Sequence, residues 1–593
     1  MVNLNHVLKH KVYFIILFLY ALVAYMMVYL PVSLDIFKTY LGHAEVVMWS
    51  NYFWWFDYAV ISLYTNPLYN SHLYFPMGMD MIEGGLLPLF LFIPITHFFG
   101  SIASYNIYVL LTFILSGFGM FLLADYLIID KRISFISGLI FSFCPFHFAA
   151  SLGHLHTFSF FWLPFFALYV HKMFDSPSKV NIIICSIFFA CNALSSWTVG
   201  VMASIFLAIY LIINFNILKN RFNRLNLLLF TIISSILISP GLYYIVKNIH
   251  SNKYLSFPID NFIEYSADLL GFIVPSPFHP LLGSVTAPIY SNFTGNFSEN
   301  IVFIGYSVLI FALLGFIFCW REKKIMPYIV TLLISFLFAL GPILQINGII
   351  VSGLYLPGIL PFFIPGLDMI RVPSRYDILI MFCLSIIAAY GIKNLFQQYQ
   401  FKNNSQIVCC IIIGCMILFE FMAVIPTQSV VPVPLFYYNI SAENENYTIM
   451  DIPAQGSSFQ KKGVNLYIYY DEYQKTHRKK VIGGYYTKIF PLYLEKIVKI
   501  DPILSYLYYL DKSKLDAEIN PLNYLNQKYG IRYIVIHTRF IDNGDLNTLL
   551  SYLGNDYYYD YSIEQDPLIV YQFQNSKNNS RDYIMFPIPD PLQ

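Results

Sequence analysis

An apolar stretch near the start of the chain sets its class: residues 12–30 read VYFIILFLYALVAYMMVYL. A helix of this length rises about 29 Å, close to the thickness of the hydrocarbon core of a bilayer. Lys9 and Lys11 precede the stretch, as in a signal peptide, but it is longer than a typical signal-peptide core and no small-residue cleavage site follows. The stretch is therefore predicted to be a retained first membrane span.

Further apolar runs long enough to be spans follow along the chain. They lie near residues 104–128, 133–150, 158–172, 180–197, 198–217, 225–246, 300–319, 326–344, 376–395 and 405–426. Two shorter, proline-broken runs, 85–100 and 348–366, are each compatible with a span, a re-entrant piece or an interfacial helix. The chain is 57% hydrophobic and 12% charged, against about 25% charged in soluble domains, so most of its surface is expected to face lipid. Residues 1–429 are predicted to form an all-α polytopic membrane domain of about 11–13 transmembrane helices.

Basic residues indicate which ends of the spans face the cytoplasm. The basic clusters are Lys9 with Lys11, Lys131 with Arg132, His171 with Lys172, Lys219 with Arg221 and Arg224, Arg321 with Lys323 and Lys324, and Lys393 with Lys402. With the N-terminus inside, eleven spans place all of these clusters in the cytoplasm. The same count places the loops 32–103, 247–299 and 345–375 outside, together with the C-terminus.

Residues 430–593 have a different composition, because they hold 18 of the 34 acidic and 16 of the 35 basic side chains in little more than a quarter of the chain. This predicts a water-soluble, extracytoplasmic α/β domain. Its expected elements are strands at Tyr447–Ile452, Tyr533–His537 and Leu568–Phe573 and a helix at Pro521–Tyr529 before Gly530. The residues after Gln574 are expected to be a polar, poorly ordered tail.

The first outer loop carries the most informative motif. It begins Gly42-His43-Ala44-Glu45, an acid that opens an aromatic-rich stretch ending at Asp57, and it continues to Phe75-Pro76-Met77-Gly78-Met79-Asp80. Since Trp and Tyr prefer the headgroup level of a membrane, residues 42–62 are predicted to form a helix lying at the outer interface. Glu45 would then be held close to the membrane surface.

This loop resembles that of the GT-C superfamily, the polytopic glycosyltransferases that use lipid-phosphate sugars and place a catalytic carboxylate in the first outer loop. It is most similar to bacterial members whose loop reads Gly-x-x-Asp with aromatics, followed by a Tyr-Phe-Pro-x-Gly segment. The resemblance extends to Gly153-His154-Leu155-His156 and to Arg371-Val372-Pro373-Ser374-Arg375. Glu45 stands where those members have Asp. The resemblance implies a glycosyltransferase of the cytoplasmic (inner) membrane whose partners are a polyprenyl-phosphate-linked sugar donor and membrane lipid.

Inverting glycosyl transfer needs a carboxylate to take the proton of the acceptor hydroxyl while the carrier phosphate leaves. Glu45 has the position for this role and Asp80 is the second candidate. Each could instead be a solvated loop acid.

Histidine and arginine side chains supply the candidate binding residues. His154 and His156, with His43 and His147, could bind the leaving phosphate or a divalent metal ion, or could be hydrogen-bonded interfacial histidines, because a two-residue spacing is a weak metal signal. Arg371 and Arg375 could hold the donor phosphate, or could simply anchor the chain at the interface.

Two other functions remain open: a glycolipid transporter or flippase, and a non-catalytic membrane scaffold. The gathering of acids in outer loops, with no internal repeat, favours the enzyme over a transporter. The net charge of +1 gives no support for nucleic-acid binding. The sequence does not name the sugar, the acceptor or the oligomeric state.

Overall fold

The computed structural model describes residues 4–33, 35–43, 45–81, 85–251, 258–364, 367, 370–484, 493–509, 520–554, 556–560, 562–563 and 566–573. The chain divides into two compact units. The first contains Met1–Leu68 and Asp80–Val430, and the second contains Tyr69–Met79 and Val431–Gln593. A segment of the predicted first outer loop therefore belongs to the same unit as the C-terminal region.

The first unit is a bundle of helices. They are α1 (Leu4–Ala24), α2 (Glu45–Asp57), α3 (Leu86–Leu91), α4 (Ile93–Ile128), α5 (Lys131–Ser142), α6 (Pro145–Ala150), α7 (Leu155–Phe158), α8 (Trp162–Asp175), α9 (Lys179–Ser195), α10 (Trp197–Ile213), α11 (Arg221–Ser251), α12 (Ile259–Glu264), α13 (Gly283–Tyr290), α14 (Tyr306–Cys319), α15 (Met326–Ala339), α16 (Leu360–Phe363), α17 (Asp377–Gln398) and α18 (Asn403–Phe421). Every one of the eleven predicted spans overlaps one of these helices.

The chain is a multi-pass membrane protein. Within the described residues, six helical segments are long and apolar enough to cross a bilayer: Lys11–Val32, Ile93–Ile128, Lys131–Ala150, Arg221–Tyr243, Pro373–Gln398 and Asn403–Phe421. Shorter apolar helices accompany them at Lys179–Ser195, Trp197–Ile213, Tyr306–Cys319 and Met326–Ala339. Helices α14 and α17 pack on each other through glycines, since a Cβ on Gly315 would lie 2.1 Å from the Ile387 carbonyl oxygen.

Short strands connect some of the helices. They are β1 (Thr39–Leu41), β2 (Tyr69–Asn70), β3 (Met79–Asp80), β4 (Ile343–Ile346), β5 (Ile349–Tyr355) and β6 (Thr427–Ser429). β1 pairs antiparallel with β6, and β4 pairs antiparallel with β5. The side chain of Asn106 holds the segment around β1, because its amide nitrogen donates to the carbonyls of Ile36 and Thr39 and its oxygen accepts from the Leu41 N–H.

The two proline-broken runs have different structures. Residues 85–100 form α3 and the first turns of α4, which bends at Gly100, where φ is 83° and ψ is 165°. Residues 348–366 include β5 and the single turn α16, so the described part of this run is not a membrane span. Most apolar side chains of this strand are exposed, for example Ile349 at 68% and Tyr355 at 71%. Apolar composition alone does not distinguish such a strand from a short helix.

Residues 42–62 are helical as predicted, from Glu45 to Asp57 and then as a π-helical turn over Tyr58–Ser62. The large aromatic side chains of this segment pack within the protein, and the location of the helix at the outer interface stays a prediction. Trp49, Phe53, Trp55 and Phe56 are each at most 2% exposed. They fill the interior of the unit; Phe53, for example, packs on Phe92 and Tyr108.

The second unit is α/β. Its further elements are α19 (Leu435–Ser441), β7 (Thr448–Ile452), α20 (Tyr467–His477), β8 (Lys480–Val481), α21 (Pro502–Tyr509), α22 (Pro521–Tyr529), β9 (Ile531–His537), α23 (Asn543–Leu553), β10 (Tyr558–Asp560) and β11 (Leu568–Gln572). The sheet order is β10-β11-β9-β7-β8, with β7 parallel to both of its neighbours and β11 antiparallel to β9 and β10. The predicted fold class, a helical membrane domain followed by a small α/β domain, is confirmed.

The elements predicted in this region are present. The three predicted strands are β7, β9 and β11, and the predicted helix is α22, which ends at Gly530 with φ of 63°. The predicted tail after Gln574 lies outside the described residues. Residues 72–75 run beside β8, because the Val481 N–H donates to His72 O and the Phe75 N–H donates to Val481 O.

Candidate active site

Two backbone turns of the first unit meet at glycines and bring Glu45 to His154. The His43 N–H donates to the carbonyl of Leu152 at 2.9 Å. Gly42 has φ of +115°, and a Cβ there would lie 2.9 Å from the Leu152 oxygen. A Cβ on Gly153 would lie 3.0 Å from the Cβ of Glu45. The Gly-x-x-acid and Gly-His motifs are therefore parts of one site, and each glycine allows the close approach of the other turn.

Glu45 is the first residue of α2. A helix N-terminus carries partial positive charge, which stabilises a carboxylate in the first turn. Trp49, one turn further on, donates from its indole N–H to the carbonyl of Gly153 and packs 5.6 Å from the ring of His156. This fixes the start of α2 against the segment that carries both histidines.

His154 lies between two carboxylates. Its Nε2 is 3.8 Å from Glu45 Oε2 and 3.6 Å from Glu299 Oε1. Glu299 in turn accepts hydrogen bonds from Arg375. The Nε of Arg375 lies 3.2 Å from both carboxylate oxygens, and its Nη2 also donates to Oε1. Arg375, Glu299, His154 and Glu45 thus form a continuous chain of ionisable groups.

Exposure changes along this chain. The side chains of Glu299 and Arg375 are 5% and 9% exposed, His154 is 15% exposed and Glu45 is 48% exposed. Burial alone would raise the pKa of Glu299, but Arg375, His154 and Arg371 together outweigh it and hold the pKa below its usual value. This row of four ionisable side chains therefore has a buried, ionised end at Glu299 and Arg375 and a solvent-accessible end at Glu45.

The remaining predicted residues lie in different settings. Arg371 is half-buried and acts electrostatically on Glu299, Asp80 is half-buried in β3, and His43 is exposed. His147 is fully buried, with its ring 3.8 Å from that of Phe113 and its nitrogens facing Ser142 O and Thr112 Oγ1. The hypothesis that His147 binds an ion or a phosphate is therefore wrong.

Glu299 is the residue of the cluster that sequence reasoning did not select. It counted only as one acid of the outer loops. The available signal was its position immediately before the apolar run of α14, which mirrors the position of Arg375 before α17. As to a metal, no group of three or more His, Cys, Asp or Glu side chains suited to hold an ion occurs within the part of the chain that the structure describes.

No family model matches the chain, and no curated protein matches it. Among solved structures, the arabinofuranosyltransferase AftD from Mycobacteria superposes with a TM-score of 0.53 at 12% identity, over 89% of this chain and 35% of that one. A variant of AftD gives 0.50 at 13% identity, over 89% and 37%. The chain has a GT-C-like fold.

The GT-C-like fold confirms the resemblance predicted from the first loop. This chain spans about a third of the length of the AftD chain that it matches. ArnT from Cupriavidus metallidurans, solved bound to undecaprenyl phosphate, aligns over 93% of this chain and 97% of its own, but at 10% identity and a TM-score of 0.40. That likeness is too weak to carry an argument. Within this unit, the geometry places a half-exposed carboxylate beside an imidazole, which also faces a buried ion pair.

Proposed function

We propose that this protein is a membrane glycosyltransferase that moves a sugar from a polyprenyl-phosphate carrier to an extracytoplasmic glycan, lipid or protein. The observation that carries the proposal is the placement of Glu45: on a GT-C-like fold, it is the accessible end of a chain of ionisable groups that is otherwise buried. A carboxylate whose only role is to keep the protein soluble needs no contact with a row of buried ionisable side chains.

Glu45 acts as the general base. It takes the proton of the acceptor hydroxyl as the hydroxyl oxygen attacks the anomeric carbon, and the bond from that carbon to the phosphate oxygen breaks. The leaving group is the polyprenyl phosphate, and attack opposite to it inverts the anomeric configuration.

His154 is a positioning residue in this scheme. Its Nε2 lies 3.8 Å from Glu45, so a small movement brings it to hydrogen-bond distance, where it would orient the carboxylate. The Glu299–Arg375 pair fixes the imidazole from the other side.

Arg371 is the better candidate to bind the donor phosphate. The guanidinium of Arg375 is buried against Glu299, to which it donates through Nε and Nη2, whereas Arg371 is only half-buried and is therefore more accessible to a ligand. An arginine can bind phosphate oxygens in a bidentate manner. We therefore assign phosphate binding to Arg371 and assign Arg375 to holding Glu299.

Donor turnover in proteoliposomes tests the proposal. The purified chain is mixed with radiolabelled polyprenyl-phosphate hexoses and pentoses and with membranes as the acceptor source, and released polyprenyl phosphate and acceptor-bound label are measured. We expect turnover of at least one lipid-linked sugar and none of the corresponding nucleotide sugars. Absence of turnover with every lipid-linked sugar would overturn the proposal, and movement of intact donor across the bilayer would indicate a transporter.

A further inference from the structure

The α/β unit has a crevice at the carboxyl ends of its parallel strands. β8 and β9 lie on opposite sides of β7, and both run parallel to it. In open α/β sheets, ligands bind outside the carboxyl ends of the strands. The crevice lies at the carboxyl ends of β7 and β8, since Asp451 and Ala454 line it at the end of β7 and Gly483 lines it after β8.

The crevice is of a size for a small ligand. It holds about 450 Å³ of empty space, which includes space open to solvent. A ligand bound there would therefore remain partly in solvent.

Gln474 provides a buried acceptor that has no partner. Its side chain lies on α20, lines the crevice and is 1% exposed. The amide nitrogen donates to the carbonyl of His72 at 3.0 Å, but Oε1 accepts no hydrogen bond from any residue that the structure describes. Leaving a buried acceptor unsatisfied is unfavourable, so a ligand that donates a hydrogen bond to it would be favoured.

Asp451, also in the wall of the crevice, is held rigidly from behind. The Tyr437 hydroxyl donates to its Oδ1, and His537 Nε2 lies 3.2 Å from the same oxygen. His537 also faces Asp566 at 3.0 Å through Nδ1. Burial lowers the pKa of His537, but Asp566 and Asp451 outweigh it and raise the pKa to about 9, so a cation compensates the two carboxylates at neutral pH.

Two other polar side chains, Asp471 and Gln455, line the crevice. Asp471 is a second carboxylate in the wall, and it lies one turn before Gln474 on α20. Carboxylates and an amide oxygen accept hydrogen bonds, so they disfavour a phosphate or carboxylate ligand. The rings of Tyr467 and Tyr470 line the same crevice and offer an apolar face, as sugar C–H groups require.

We propose that this crevice binds the hydroxyl groups of a sugar, through Asp451, Asp471 and Gln474, and that the sugar belongs to the acceptor glycan. The second part of the proposal rests on the proposed glycosyltransferase function. The crevice lies wholly within the α/β unit. Its lining includes none of the four residues Glu45, His154, Glu299 and Arg375, the Glu45 cluster.

Saturation-transfer NMR on the full-length protein in nanodiscs tests sugar binding. The probes are the methyl glycosides of glucose, galactose, mannose and arabinose, with ethanolamine as a small cationic probe. We expect at least one glycoside to bind, and Asp471→Asn to weaken that binding at least tenfold. Glu472→Gln is the matched control: this neighbouring acid pairs with Lys475 at 2.7 Å and does not line the crevice, so its substitution should leave binding unchanged.

A second variant tests the crevice independently, in case Asp471→Asn loses binding because it misfolds. Ala454→Val narrows the crevice without altering a hydrogen bond and should also abolish glycoside binding. Equal glycoside binding by the parent, Asp471→Asn and Ala454→Val would overturn the proposal, as would absence of binding by the parent or preference for ethanolamine. If glycosides bind but no lipid-linked donor is consumed, the glycosyltransferase proposal fails while the sugar site stands. If donor is consumed and the crevice variants bind normally, only the crevice assignment fails.

Discussion

The ion pair between Glu299 and Arg375 joins two side chains from distant parts of the sequence. Arg375 was predicted from sequence as a binding residue, but its partner lies 76 residues away and no local pattern connects the two. Sequence motifs in the outer loops select Glu45 and His154 as candidates, and the structure brings the side chains of these two residues to 3.8 Å from each other. Pairing between distant loops depends on how the helices pack, which the sequence motifs do not encode.

Arg375→Gln tests the structural role of this pair. Removing one partner of a buried ion pair leaves an uncompensated charge, which typically costs about 3–5 kcal/mol. We expect a markedly lower thermal unfolding temperature for the purified protein, and partial recovery when Glu299→Gln is added. Lys131→Gln is the control, since Lys131 is 43% exposed in its pair with Asp125 and its loss should cost less than about 1 kcal/mol. Equal stability of Arg375→Gln and the parent would contradict a buried pair.

At the scale of elements, hydropathy predicts where the helices of the membrane unit lie in the sequence. It does not predict whether their side chains face headgroups or the protein interior. The run of Trp, Tyr and Phe in α2 is compatible with both a headgroup location and a packed interior, because large aromatic rings suit both. The structure places these rings in the interior. Likewise, the apolar run 348–366 has a composition that a short span and a β-hairpin strand share.

Phe53→Ala measures the burial of α2. Phe53 is fully buried, and truncating a buried Phe typically costs about 3–5 kcal/mol. Phe18→Ala in α1 is the matched control, because Phe18 is 66% exposed on a candidate span and its loss should have little effect on unfolding. If thermal unfolding in detergent ranks the two variants the other way round, α2 is not an interior helix.

At the scale of the whole molecule, the α/β unit should lose stability in mild alkali. The pKa of His537 is raised from 6.5 to about 9, so the folded state binds this proton more tightly than the unfolded state. The stabilisation is fully present below about pH 6.5 and is lost as the pH rises through about 9. We expect the unfolding temperature of this unit in the full-length protein to fall by several degrees between these pH values. His537→Gln should remove most of that dependence, and an unchanged pH profile in this variant would contradict the assignment.

The topology of the whole chain remains a prediction from its basic clusters. Eleven predicted spans all overlap helices, and an odd number of crossings with a cytoplasmic N-terminus places the C-terminus outside. A reporter that is active only in the cytoplasm, fused after Gln593, should therefore be silent, and a reporter active only outside should be active. The reverse result would place the Glu45 cluster on the wrong side for an extracytoplasmic acceptor.

The most direct test of the account is the rate of sugar transfer by Glu45→Gln. Gln keeps the shape of Glu but cannot take the acceptor proton, and loss of a general base typically costs about 10²- to 10⁴-fold in rate. Asp57→Asn at the other end of α2 is the control, and Asp80→Asn tests the second candidate. With donor turnover established for the parent, we predict that Glu45→Gln folds normally and loses transfer by that factor, whereas Asp57→Asn transfers at the rate of the parent. Near-normal transfer by Glu45→Gln would contradict the assignment of Glu45 as the general base. If Asp80→Asn is inactive in the same assay, the general base is Asp80.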